Sequence, residues 1–176
     1  MTLNPLSVYR LLPGFGDVRT LLFGPSLSSV IRRQIRGSAG EPPASLTAGW
    51  GGDPRLPRAE FPSGYPGVPV LSARLAEALG DDPRKAGTLT PVGIEGAAKD
   101  GYLFYAVEAV VDRVDARRSA KPKKSTGRMK HTVFRPDALP AGLPAFRVPG
   151  FPTGVHWNGW AVERLTELLD ERLEPV

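Results

Sequence analysis

The chain contains no cysteine. That absence removes a disulfide framework, thiolate metal sites and cysteine nucleophiles together. Histidine is almost as scarce: His131 and His156 stand 25 positions apart, in no HExxH arrangement, so no zinc site is expected. Long apolar runs are also missing. No segment nears the ~20 residues of a membrane span, and the first residues lack a basic stretch leading into an apolar one. A cytoplasmic protein with no membrane association is therefore expected. Phosphate loops of the GxxxxGK[ST] or GxGxxG kind are absent, and Gly14-Phe15-Gly16 reads as a turn. There is no GxSxG elbow, and Ser26, Ser28 and Ser29 have no histidine nearby in sequence. The expectation is a chain with no cofactor, no metal and no catalytic residues.

What is present fits a globular fold. With 176 residues, 41% hydrophobic and 23% charged, one domain spanning 1–176 around one core is expected. The formal charge of +5 is unevenly placed. Seven cations (Arg117, Arg118, Lys121, Lys123, Lys124, Arg128 and Lys130) fall within 116–130, which holds no carboxylate, and the rest of the chain has 16 basic against 18 acidic residues. The body is slightly acidic and one loop is strongly basic. With Pro122, Ser125 and Gly127 but no aromatic ring, 116–130 reads as a mobile solvated loop, suited to an acidic partner or to phosphates.

Glycine and proline concentrate elsewhere. They make up 14 of the 33 residues in 37–69, which therefore reads as a long irregular arm, laid across the core and pinned by Trp50, Phe61 and Tyr65. Before it, Tyr9–Leu12 and 18–23 are short apolar runs that suit strands. After it, 70–80 has the marks of a short amphipathic helix. Ser72 can cap it, Leu71 can act as staple, Leu75, Ala76 and Leu79 share a face, and Gly80 suits a left-handed cap.

The middle of the chain is strand-like. Residues 88–95 alternate, with Leu89, Val92 and Ile94 inward and Pro91 placing the segment at a sheet edge or beside a bulge. Residues 101–115 are apolar at even and odd positions alike, as in a central strand covered on both sides. Two shorter strands are expected at 132–135 and Ala145–Val148. Asn158 then opens a second amphipathic helix within 158–176, with Ala161, Val162, Leu165, Leu168 and Leu169 as its apolar stripe and Glu163, Arg164, Glu167 and Asp170 facing water. Residues 173–176 suit an edge strand. The resulting fold class is α+β: a mixed or mostly antiparallel sheet, two amphipathic helices and the long irregular arm.

Two groups of residues bear on function. Asp112 and Asp115, at the end of the expected central strand, could act as acid and base, hold a cation, or form strand-end and turn contacts. Residues 151–160 gather Phe151, His156, Trp157 and Trp160, which could form an aromatic recognition surface or close the core.

The order of segments is itself informative. PVLS at Pro69-Val70-Leu71-Ser72 precedes a short helix, and YLFYAVEAVVDRVD runs to Asp115, with Ser119 ahead of a loop. AFRV follows at Ala145–Val148, and a closing helix leads to LEPV at 173–176. In this order, from about Asp17 to Val176, the chain resembles a family of bacterial polymorphic-toxin immunity proteins, formerly a domain of unknown function. Where that family's last helix opens on valine and serine, this chain reads Val155-His156-Trp157-Asn158. The resemblance implies a cytoplasmic antitoxin-like protein that blocks one cognate toxin domain by stoichiometric binding, with no cofactor. The family offers no catalytic residues to carry over. The partner-facing residues expected on this reading are the seven cations of 116–130 together with His156 and Trp157. The alternatives are a nucleic-acid-binding accessory protein gripping phosphates with the basic loop, and an enzyme with a dispersed site using Asp112, Asp115 and His156.

Overall fold

A computed structural model describes residues 7–12, 16–36, 45–65, 67–96, 101–125, 127–166, 168–169 and 172–175. The expected turn at Gly14-Phe15, the first part of the irregular arm at 37–44, and Glu167, Asp170 and Val176 lie outside the described residues.

Two sheets organise the fold. The first is fully antiparallel: β10 (Arg172–Pro175), β1 (Val8–Leu12), β9 (Phe151–Asn158) and β8 (Ala145–Val148) lie side by side in that order. The second is mixed and runs β4 (Arg58–Ser63), β2 (Arg19–Leu22), β3 (Leu46–Gly51), β6 (Gly87–Ile94), β7 (Tyr102–Val107) and β5 (Val70–Ser72). Its two parallel pairs are β2 with β4 and β3 with β6. This sheet curls until its end strands β4 and β5 lie alongside each other, and the Tyr102 hydroxyl of β7 donates to the Ala59 carbonyl of β4 at 3.1 Å. With α1 (Leu27–Arg36), α2 (Ala73–Leu79) and α3 (Gly159–Leu165), the architecture is the α+β fold expected from the sequence.

Strand β7 shows how the core is divided. Its even residues Tyr102, Phe104 and Ala106 face the inside of the curled sheet, with Leu21, Phe23, Val30, Leu46 and Ile94. Its odd residues Tyr105 and Val107 face outward into a second cluster with Leu75, Leu79, Trp157, Val162 and Leu165. Trp157 joins the sheets by meeting Phe61 edge-on at 6.3 Å and Tyr105 at 5.9 Å. The strand is apolar on both faces because each face is buried, as expected.

The ladder nevertheless ends at Val107, eight residues short of the 101–115 strand expected. The amides of Glu108 and Ala109 both donate to the Ala86 carbonyl, which turns the chain out of the curled sheet and towards the first one. There Val110 bridges Arg147 of β8, and the buried Arg147 returns an Nε–H bond to the Val107 carbonyl at 2.6 Å. Apolar residues on alternating faces thus serve two sheets in succession. Residues 132–135, expected as a strand, make one bridge only, between Phe134 and Val114.

The arm at 37–69 is the largest correction. It supplies β3 and β4, each of six residues. Inward-facing Leu46 and Ala48 are buried, and β3 pairs with both β2 and β6, so tertiary pairing outweighs glycine's poor strand propensity. Pro62 is tolerated because β4 ends the hydrogen-bonded order. Pro91 follows the same logic: β6 pairs with β7 over Gly87–Val92 but with β3 only from Val92, so one side of Pro91 is a local edge.

The helices meet the expectation partly. Ser72 Oγ accepts the Leu75 amide at 3.1 Å, and Gly80 takes a positive φ of 60° at the end of α2. Val70–Ser72, read as the start of that helix, instead pairs with β7. α3 ends at Leu165, and Leu168 and Leu169 pack against the same core from the turn beyond it. Asn158 stands at the cap position, but its amide group donates to the Pro140 and Leu143 carbonyls at 2.9 and 2.6 Å. α1 was not expected. Its signal is Pro25 ahead of Leu27, Val30 and Ile31, which share the face packed on the curled sheet.

Candidate partner-binding hairpin

The basic segment has a defined backbone. Asp115 begins it: its Oδ1 accepts the amides of Arg117 and Arg118 at 3.0 and 3.2 Å, and its carbonyl accepts the Ser119 amide at 2.9 Å. This is the local side-chain turn that aspartate forms readily. Ser119 Oγ then accepts the Val133 amide at 2.8 Å, tying the outgoing limb to the returning one. Further bonds from the Asp115 amide to Val133, from Ala120 to His131 and from Lys123 to Arg128 continue the pairing. The segment expected as a solvated loop is an excursion with two facing limbs joined by these bonds.

The underside of the excursion is apolar. Met129, Val114 and Phe134 pack with Val8, Phe146, Val148 and Phe151 in a third cluster of the core. At the tip Gly127, with φ of 70°, lies against the turn at Gly150 that joins β8 to β9. Outward, all seven cations (Arg117, Arg118, Lys121, Lys123, Lys124, Arg128 and Lys130) are exposed. Their charge therefore stands on a surface that backbone pairing and packing hold in place.

His156 and Trp157 do not join that surface. Each is only 1% exposed, which corrects their assignment as partner-facing residues. They alternate along β9, so Trp157 enters the cluster between the sheets while His156 enters the third cluster. There His156 stacks on Phe146 at 5.7 Å and meets Phe134 and Phe151 edge-on at 5.4 and 6.2 Å. Its Nδ1 is buried without a hydrogen-bond partner. Burial, assisted by the positive charge of Arg10, lowers the imidazole pKa to about 4, so the ring is neutral at pH 7.

The residues considered for a dispersed enzyme site are used separately. Asp115 shapes the turn, Asp112 is exposed and lends its carbonyl to Arg135, and His156 is walled in by phenyl rings. None of the three lines the open groove of about 1080 Å³ over β2, β3, β6 and β7, whose walls include Leu22, Pro25, Val92, Ile94 and Leu103. Among the described residues, no three histidine, aspartate or glutamate side chains gather closely enough to hold a metal ion, and no helix is long and apolar enough to cross a membrane.

No protein-family model matches the chain, and no curated protein matches it.

Proposed function

We propose that this protein is a cytoplasmic immunity protein that neutralises a cognate bacterial toxin domain by stoichiometric binding, without catalysis, and that it meets an acidic surface of that domain through the hairpin at 116–130. The observation carrying the reading is that seven exposed cations share one backbone-paired hairpin with no carboxylate between residues 116 and 130. A single-sign field of this kind steers an oppositely charged protein and raises its association rate. Because the hairpin is already folded, little backbone freedom is lost on binding. The resemblance of the segment order to the immunity-protein family supplies the biological context.

Phosphate backbones would be attracted to the same cations. A protein partner is favoured because 116–130 offers no aromatic ring on which an unpaired base could stack. The test is co-expression with any toxin-type domain found encoded beside this chain's gene, followed by titration calorimetry for stoichiometry and stopped-flow mixing for the association rate of the purified pair. Growth rescue and one-to-one binding, with association slowed about tenfold or more when Lys121, Lys123 and Lys124 become glutamate, support the proposal. No rescue, or preferential capture of duplex DNA or RNA with a steep salt dependence, overturns it.

A further inference from the structure

The chain between β7 and the basic hairpin is bonded along one side only. Val110 bridges Arg147 of β8 through its neighbours: the Arg147 amide donates to the Ala109 carbonyl, and the Arg147 carbonyl accepts the Val111 amide, both at 2.8 Å. The N–H and C=O of Val110 itself therefore point away from β8. Four residues on, Val114 bridges Phe134 in the same manner, because the two bonds run from the Arg135 amide to the Arg113 carbonyl at 3.0 Å and from the Asp115 amide to the Val133 carbonyl at 2.8 Å. Its own backbone groups also turn from the paired side. In an extended chain, residues separated by an even number of steps direct these groups to one edge, so Val110 and Val114 open the same way. Among the described residues, no backbone hydrogen bond reaches either.

This edge meets solvent. Val110 is 52% exposed, one of two large hydrophobic residues so placed among those described, and Asp112 and Arg113 beside it are exposed as well. The Arg135 side chain donates to the Asp112 carbonyl at 3.0 Å, which brings a further guanidinium to the segment. At about 3.3 Å per residue, Val110 to Val114 covers about 13 Å and leads straight into the hairpin at 116–130. An open strand edge is a template for another chain unless it is covered or blunted.

We infer that residues 110–114 form a strand-addition edge that receives an extended acidic segment of the protein partner. Backbone bonds to Val110 and Val114 set the register, and the exposed Val110 side chain adds an apolar contact. Arg113, Arg135 and the hairpin cations select acidic side chains on that segment. The inference rests on the acidic partner proposed for the hairpin and adds how that partner's backbone is held.

The test titrates the ¹⁵N-labelled full chain, at constant ionic strength, with a short blocked peptide that alternates glutamate and valine. The expected result is a saturable downfield shift of the Val110 and Val114 amide resonances, accompanied by shifts in the hairpin. The same peptide N-methylated through its centre keeps its charge but loses its donors, and should bind about tenfold or more weakly. Val110→Pro, which removes an N–H that no backbone bond uses, should weaken binding to a similar extent. If that variant fails to fold, the methylated peptide decides. Shifts confined to the hairpin, or equal binding of the two peptides, overturn the edge and leave the charge reading of the hairpin standing. Val110 and Val114 shifts that survive glutamate at Lys121, Lys123 and Lys124 uphold the edge and count against that reading. No saturable shift at Val110 or Val114 overturns the inference.

Discussion

Gly127 at the tip of the basic hairpin lies so close to Gly150 in the β8–β9 turn that a β-carbon on Gly127 would overlap the Gly150 carbonyl oxygen. Two glycines far apart in sequence thus fix where the charged tip sits.

Replacing Gly127 by alanine should undo that placement. The positive φ and the overlap act in the same direction, with an expected cost of about 1–3 kcal/mol confined mainly to the hairpin. Amide hydrogen exchange should show faster exchange at Ala120, Lys123 and Gly127, whose N–H groups bond across or within the tip. Unchanged protection there would mean that the tip does not depend on Gly150.

His156 should make stability depend on pH. The imidazole takes up its proton near 6.5 in the unfolded chain but only at about 4 in the folded one, so unfolding binds a proton between those values. Stability is full above pH 6.5 and declines as pH falls towards 4, by up to about 3 kcal/mol. His156→Phe, placed among Phe134, Phe146 and Phe151, should flatten urea midpoints across that window. A variant with the wild-type slope would show that another group carries it.

Val107 and Lys123 test the two extremes of environment. Val107 is fully buried on β7, so Val107→Asp places a charge in the core and should prevent folding, which circular dichroism would reveal as lost cooperative melting. Lys123 is exposed, and Lys123→Glu should leave stability within about 0.5 kcal/mol.

The cap of α2 makes a smaller claim. Ser72→Ala removes the bond to the Leu75 amide and should cost about 1 kcal/mol. For a chain of this length that lowers the melting temperature by roughly 2–4 °C. A shift near zero would mean that water replaces the hydroxyl at a buried cap.

Much of the architecture is legible in local pattern, and the errors share a cause. Ser72 and Gly80 bound α2 as their chemistry dictates, and the two-sided burial of β7 follows from its composition. The irregular reading of 37–69 failed because glycine and proline report intrinsic preference, whereas β3 gains its order from strands on either side. The strand expected over 101–115 failed because periodicity persists when a chain leaves one sheet for another. For the candidate site, the seven cations are plain in the sequence. The pairing of Ser119 with Val133 and the seat of Gly127 on Gly150 are not, because each depends on a partner distant along the chain.

His156 and Trp157 mark that boundary most clearly. Adjacent aromatic residues in a strand must point to opposite faces, and composition alone settles that much. Whether a face meets water or another layer depends on where the sheets pack, and here both faces of β9 are covered. Local chemistry therefore chose the elements, the caps and the location of charge. Only the closure of one sheet on itself, and its stacking against the other, decided which of those side chains a partner could reach, because that depends on contacts between residues far apart in sequence.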